Sequence, residues 1–223
     1  VKMQSDGSFS WIKKFSSDLN LTIQDIHHTN DGGAIVLIEG SDIDDGYEVF
    51  LMKLDSNGNS EWMKQYGTTG NDRPTSLDLF DDESIIVAGS TDFEGIEQGL
   101  SGCDGESTPC PDGMMIQTDN EGNVEWAHYY GDIYRDKAQA VVTQGNSDFY
   151  ITGITKIQGI SGVGFLSQKS KTDHQMCNGL DFQLKTSSYS VSLTAGNLSQ
   201  TPLGSTNSSG QVLGNGFPHT DED

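Results

Sequence analysis

Short apolar runs alternate with polar turns from Phe50 to Thr91, FLMKLDSNGNSEWMKQYGTTGNDRPTSLDLFDDESIIVAGST, and the rest of the chain repeats this pattern. Leu51–Leu54 is apolar apart from Lys53, and Asp55–Asn59 is a turn of Asp, Asn and Gly. Ser60–Tyr66 carries Trp62 and Tyr66, and Gly67–Asp72 is polar. Thr75–Phe80 alternates with the period of two of a half-buried strand, whereas Ile85–Ala88 is β-branched and continuously apolar. These runs predict four strands joined by tight turns into one antiparallel meander.

The pattern returns from Met115 to Thr155, with Gly122 on Gly58, Trp126 on Trp62, Tyr130 on Tyr66 and Gly131 on Gly67. Upstream, Val1–Phe15 matches Met52–Tyr66, which puts Gly7 on Gly58 and Trp11 on Trp62. Gly164–Cys177 reads as a degenerate fourth copy with Cys177 in the tryptophan slot. The slots at 11, 62, 126 and 177 are 51, 64 and 51 residues apart, a fixed period interrupted by a 13-residue insertion. A period near 50 with four strands is that of a propeller blade, not of a leucine-rich or helical solenoid.

The expected fold is therefore all-β, with β-propeller-type repeats of four-stranded antiparallel units. About four units are expected, near residues 1–47, 48–112, 113–162 and 163–194, the last degenerate. KIQGISGVG, residues 156–164, reads as a connector. Residues 178–223 hold closing or donor strands, DFQLKTSSYSVSLT from Asp181 to Thr194, and then a Ser/Thr/Gly-rich tail of linker composition. No window combines a helix cap, a 3.6-residue period and ten residues free of Gly and Pro.

The LDSNGNSEW, QYG and IIVAGST elements resemble the β-propeller repeats of large secreted or surface-anchored proteins of environmental bacteria and archaea. Their usual form is near KLDSNGNxxW…YGGxGxD…DGGxIVAGxT. The resemblance covers Val1 to Cys177, with departures at Ser16 and Ser17, where the Gly-rich turn is missing, and in the fourth copy. It implies a fold and an extracellular setting but no reaction, since fold does not fix function.

Composition narrows the partners. In 223 residues, 33 acidic against 12 basic side chains give a formal charge of −21, and no Lys/Arg cluster is present. That balance argues against a nucleic-acid backbone and an anionic membrane as ligands. It suits solubility, salt tolerance and divalent cations. No run reaches transmembrane length and no signal peptide opens the chain, which begins in mid-pattern and reads as a mature or excised piece.

Candidate chemistry is sparse. Cys103 and Cys110 lie in the insertion SGCDGESTPCPDG, where a loop disulfide would contribute about 2 to 3 kcal/mol, the alternative being two reduced thiols. Cys177 reads as a buried filler of an aromatic slot. Asp42, Asp44, Asp45 and Glu48, with Asp104 and Glu106, are candidate Ca²⁺ ligands in acidic connectors. The turns Asp55–Glu61 and Asp119–Glu125 also offer alternating oxygens but read as hairpins. Trp11, Trp62 and Trp126, each four residues before an aromatic, read as packing between repeats, with a carbohydrate-stacking platform as the alternative. Asn20, Asn197 and Asn207 begin N-x-S/T sequons. The histidines have no zinc spacing, and nucleophile-elbow, P-loop and dinucleotide motifs are missing.

The reading these residues favour is a non-enzymatic extracellular structural, adhesive or self-assembling surface protein, a filament subunit included, whose partners are neighbouring subunits or glycans. A Ca²⁺-dependent glycan-binding module is one alternative. A quinone-cofactor propeller enzyme is another, because D-x-x-G-x-x-x-W also resembles its repeat, although no catalytic residue of that family maps here.

Overall fold

The computed structural model describes residues 2–17, 19–42, 46–92, 111–131, 135–157, 160–172, 180–181, 185–188 and 192–195. Among them every regular element is a strand. The first group is β1 (Lys2–Met3), β2 (Phe9–Trp11), β3 (Lys13–Ser16), β4 (Asn20–His28), β5 (Ala34–Asp42), β6 (Gly46–Leu54) and β7 (Ser60–Gly67). Next come β8 (Asp72–Leu79), β9 (Ile85–Thr91), β10 (Asp112–Thr118), β11 (Val124–Tyr130), β12 (Asp136–Gln144), β13 (Asp148–Ile157) and β14 (Ile160–Ser170). Three short strands follow: β15 (Leu180–Asp181), β16 (Lys185–Ser188) and β17 (Ser192–Ala195).

The strands form antiparallel sheets ordered β4-β5-β6-β7-β16, β8-β9-β10-β11-β15 and β12-β13-β14, with smaller pairs β1-β2 and β3-β17. The sheets stack face to face, and the apolar runs explain why. Residues 35–38 and 85–88 are buried at consecutive positions, so both faces of β5 and β9 are covered. Leu37, Leu51 and Tyr66 of the first sheet meet Leu77, Val87 and Ile116 of the second. The opposite face of the second sheet packs Ile86, Met115 and Tyr130 on Val141, Phe149 and Ile151 of the third. Val36, Ile38 and Met52, on the far face of the first sheet, pack under Trp11. Each such aliphatic side chain taken fully from water contributes about 1.5 to 3 kcal/mol.

The expectation of antiparallel all-β repeats holds at this level, but their phase differs from the sequence reading. The meander from Phe50 to Thr91 is divided between two sheets: β6 and β7 close the first, and β8 and β9 open the second. The sheets therefore straddle the expected units 1–47, 48–112 and 113–162. A translational repeat looks the same whichever turn is taken as its start, so periodicity alone does not say which four strands share hydrogen bonds. Likewise the expected connector at 156–164 is occupied by the end of β13 and the start of β14, and β14 joins the third sheet instead of founding a fourth. Within the stretch Asp181–Thr194 the described residues belong to β15, β16 and β17.

Candidate interaction surface

A strand at the edge of a sheet carries unpaired N–H and C=O groups, so each sheet here has two edges to satisfy. The inner edges belong to β4, β8 and β12, which lie beside one another in succession. Each inner strand carries a bulge at the equivalent place, the register skipping Gln24, Thr75 and Gln139. A bulge re-aims the side chains that follow it. Asp25 Oδ2 accepts from the Leu77 N–H at 3.0 Å, Ser76 Oγ from the Val141 N–H at 3.4 Å, and Asp78 Oδ2 from the Thr143 N–H at 2.7 Å. Thr75 Oγ1 lies 2.9 Å from the Ala138 carbonyl oxygen. Side chains of one sheet thus satisfy the backbone of the next. Asp78 also meets His27 Nε2 at 3.0 Å through Oδ1.

The far edges of the first and second sheets belong to β7 and β11, each of which is extended by an added strand; β3 lies in a separate pair that is extended likewise, and β14 ends the third sheet. β15 pairs with β11, β16 with β7 and β17 with β3, all antiparallel. The described strands between residues 180 and 195 therefore pair with these three strands in reverse chain order. In the sequence reading this region could close its own fold or be donated to a neighbour. Here it pairs within its own chain.

The outer strands are fixed to the next repeat by the tryptophan slot. Trp11 donates its indole N–H to the Ser56 carbonyl at 3.0 Å and lies against Gly58, where a Cβ would come within 2.8 Å of the ring. Tyr66 donates its hydroxyl to the Gly122 carbonyl at 2.7 Å, and Trp62 lies 3.0 Å from where a Gly122 Cβ would stand. Both glycines have positive φ, 74° and 77°, so turn geometry and ring contact each require the absence of a side chain. Burial and the Asp119 charge push the Tyr66 hydroxyl pKa up, which keeps it a donor. Trp126 stacks on Phe149 and on buried His128.

The turn carboxylates are engaged locally. Asp55 Oδ1 accepts the N–H groups of Asn57 and Asn59, and Oδ2 accepts the Asn59 amide at 2.9 Å. Asp119 repeats this with Glu121 and Asn123. The Asn59 hydrogen bonds hold the Asp55 carboxyl below its ordinary pKa. These are Asx turns, in which the aspartate organises the hairpin.

The other proposed site residues are not brought together among the described residues. Glu48 is not in an exposed connector: it pairs with Gly40 within β6, is buried, and lies against Gly67. Asp112 stands in the same way against Gly131, and Asp136 also approaches that glycine. Asp42 ends β5, and Asn20 is exposed at the start of β4. Asp44, Asp45, Asp104, Glu106, Cys103, Cys110, Cys177, Asn197 and Asn207 lie outside the described residues. No group of three or more His, Cys, Asp or Glu is placed to hold a metal among those described. What sequence reasoning missed is the inner-edge set Asp25, Ser76 and Asp78. Its only signal was a polar residue recurring on an otherwise half-apolar strand.

The described residues thus form an all-β fold of stacked antiparallel sheets. No family model matches the chain. Over 128 residues, 57% of its length, it is 28% identical to a Caulobacter vibrioides protein named regulatory protein FlaEY. The chain spans 13% of that relative's length.

Proposed function

We propose that the chain is a non-enzymatic, extracellular or cell-surface structural module of β-propeller-type repeats that associates with neighbouring subunits. The observation that supports this most is the extension of β11, β7 and β3 by added strands, because a fold whose edges accept added strands is suited to joining subunits. The polar side chains point the same way. Asp25, Asp55, Asp78 and Asp119 bond to the backbone of the repeat or its neighbour, so their acceptor capacity is spent on architecture. The net charge of −21 keeps such a surface soluble between contacts. Within a longer chain the same repeats would act as a scaffold. A regulatory role, which the Caulobacter relative's name gives to a much longer protein, is one that a scaffold could serve.

Electron microscopy and light scattering of the full chain at rising concentration test the reading. Extended or oligomeric particles are expected. A strictly monomeric protein at every concentration would refute it.

A further inference from the structure

The two internal sheet-to-sheet contacts are built alike. β8 lies across β4, β5 and β6 of the first sheet, and β12 lies across β8, β9 and β10 of the second. The row of residues that receives β8 runs Asp25, Leu37, Leu51, and the row that receives β12 runs Ser76, Ala88, Met115. In each row the first side chain accepts a backbone N–H of the arriving strand and the other two are fully buried. The arriving strand brings Leu77 or Val141, two residues past its bulge, and buries it. The same slots recur at the two ends of the stack, where they are exposed. On the face of the third sheet turned away from the second, the row is Ala140, Thr152, Leu166, and Leu166 is 75% exposed. Val142 and Ile154, in the rows on either side, are exposed too. At the opposite end, Ile26 of β4 stands two residues past its bulge, in the slot of Leu77 and Val141, and is 59% exposed. Ile23 on the same face is also exposed, whereas Trp11, Leu19 and Leu21 pack on the rest of that face.

We propose that this face of the third sheet, with Val142, Ile154 and Leu166, is a docking surface for the first sheet of a second copy of this chain, whose β4 lays Ile23 and Ile26 across it. This deepens the structural reading given above and rests on it. The contact continues an interface that the chain already makes twice, and the two exposed ends are its two halves, so each copy carries the surface that another needs. The polar requirements of the two ends also match. Inside the chain, the arriving N–H groups of Leu77 and Val141 find acceptors in Asp25 and Ser76. Ala140, in the equivalent position of the third sheet, has no side-chain acceptor to offer. The N–H that would arrive there is that of Ile26, and it is already donated to Asp25 Oδ1 at 2.8 Å within its own strand. Docking therefore strands no donor, and what it buries is aliphatic surface on both sides. Because the two surfaces differ, the contact is heterologous and adds copies head to tail.

The test uses full-length chains. Leu166→Asp blocks one surface and Ile26→Asp the other, and because both side chains are exposed the variants are expected to melt like the wild type. At concentrations where the wild type associates, each variant alone is expected to be monomeric by light scattering. An equimolar mixture of the two is expected to form a heterodimer and nothing larger, because one intact surface of each kind remains. If an Asp variant fails to fold, Leu166→Thr and Ile26→Thr, whose β-branched side chains suit a strand, take its place, with self-association of each weaker than that of the wild type. Variants that associate as the wild type does would overturn this surface while leaving the structural reading standing. Monomeric variants whose mixture stays monomeric would overturn the head-to-tail pairing in the same way. A wild type that is monomeric at every concentration would overturn both.

Discussion

The inner and outer edges of these sheets face the same physical problem and meet it differently. At the inner edge, β4, β8 and β12 are joined by single side-chain acceptors, Asp25, Ser76 and Asp78, each aimed at one backbone N–H of the next strand. On the outer side, β3, β7 and β11 are each extended by a strand that contributes its own backbone. The first solution is specific to individual side chains, so it locks neighbouring sheets in one order. The second rests on backbone ladders. The difference teaches that one fold can join its strands through chosen side chains on one side and through added backbone on the other.

The largest effect expected is at the anchor that holds the outer strand to the next repeat. Trp62→Ala should cost about 3 kcal/mol, as large aromatic truncations do, because Trp62 packs on the first core cluster and against Gly122. Denaturant midpoints check this. A loss below about 1 kcal/mol would mean that Trp62 is no anchor and would revive a binding platform. Next comes the inner edge. Asp78→Ala leaves the Thr143 N–H without its acceptor and removes the Asp78–His27 contact, and should cost about 2 kcal/mol. A neutral Asp78→Ala would remove the claim that inner-edge acceptors lock the sheets.

Asp72 stands where the chain crosses from an outer strand to an inner one, and its effect should depend on pH. Burial raises its carboxyl pKa, hydrogen bonds from Thr91 and Thr68 oppose the rise, and the Asp92 charge adds to it. An acid whose folded pKa is raised holds its proton in the folded state at pH values where the unfolded chain, near 3.9, has already lost it. Stability from this group is therefore greatest below about pH 3.9 and falls as pH rises toward the folded value. Asp72→Asn should match the wild type in acid and gain on it above that window. Urea midpoints of both proteins across the pH range check the sign. A difference independent of pH would show that Asp72 does not titrate as described.

Much of the repeat was legible because its constraints are local. Gly58 and Gly122 announce positive-φ turns, Asp55 and Asp119 announce Asx hairpins, and the continuous runs at 35–38 and 85–88 announce strands buried on both faces. The phase of the sheets was not legible, because the step from β7 to β8 through residues 68–71 looks like any other polar turn. Glu48 was misplaced for a related reason: a carboxylate beside an acidic loop looks like part of it until Gly67 opposite makes room for it in a strand.

The smallest effect on stability, and the one that most sharpens the contrast between the edges, is expected from prolines in β16. Successive N–H groups of a strand point to opposite sides, so replacing both Thr186 and Ser187 by proline must remove one N–H directed at β7. Among the described residues the ladder there spans Lys185–Ser188, and its hydrogen bonds are nearly offset by the entropy of holding those residues. The double variant should therefore lose less than about 1 kcal/mol in a denaturant melt, well under the loss from Asp78→Ala. Yet the outward-facing amides of Lys64–Gly67 should exchange with solvent markedly faster, because the edge has lost its cover while the core beneath it is intact. Hydrogen-exchange mass spectrometry on the full chain separates the two quantities. A large stability loss with global exchange would make the outer edge as firmly locked as the inner one. Unchanged exchange at Lys64–Gly67 would show that β16 does not protect that edge at all.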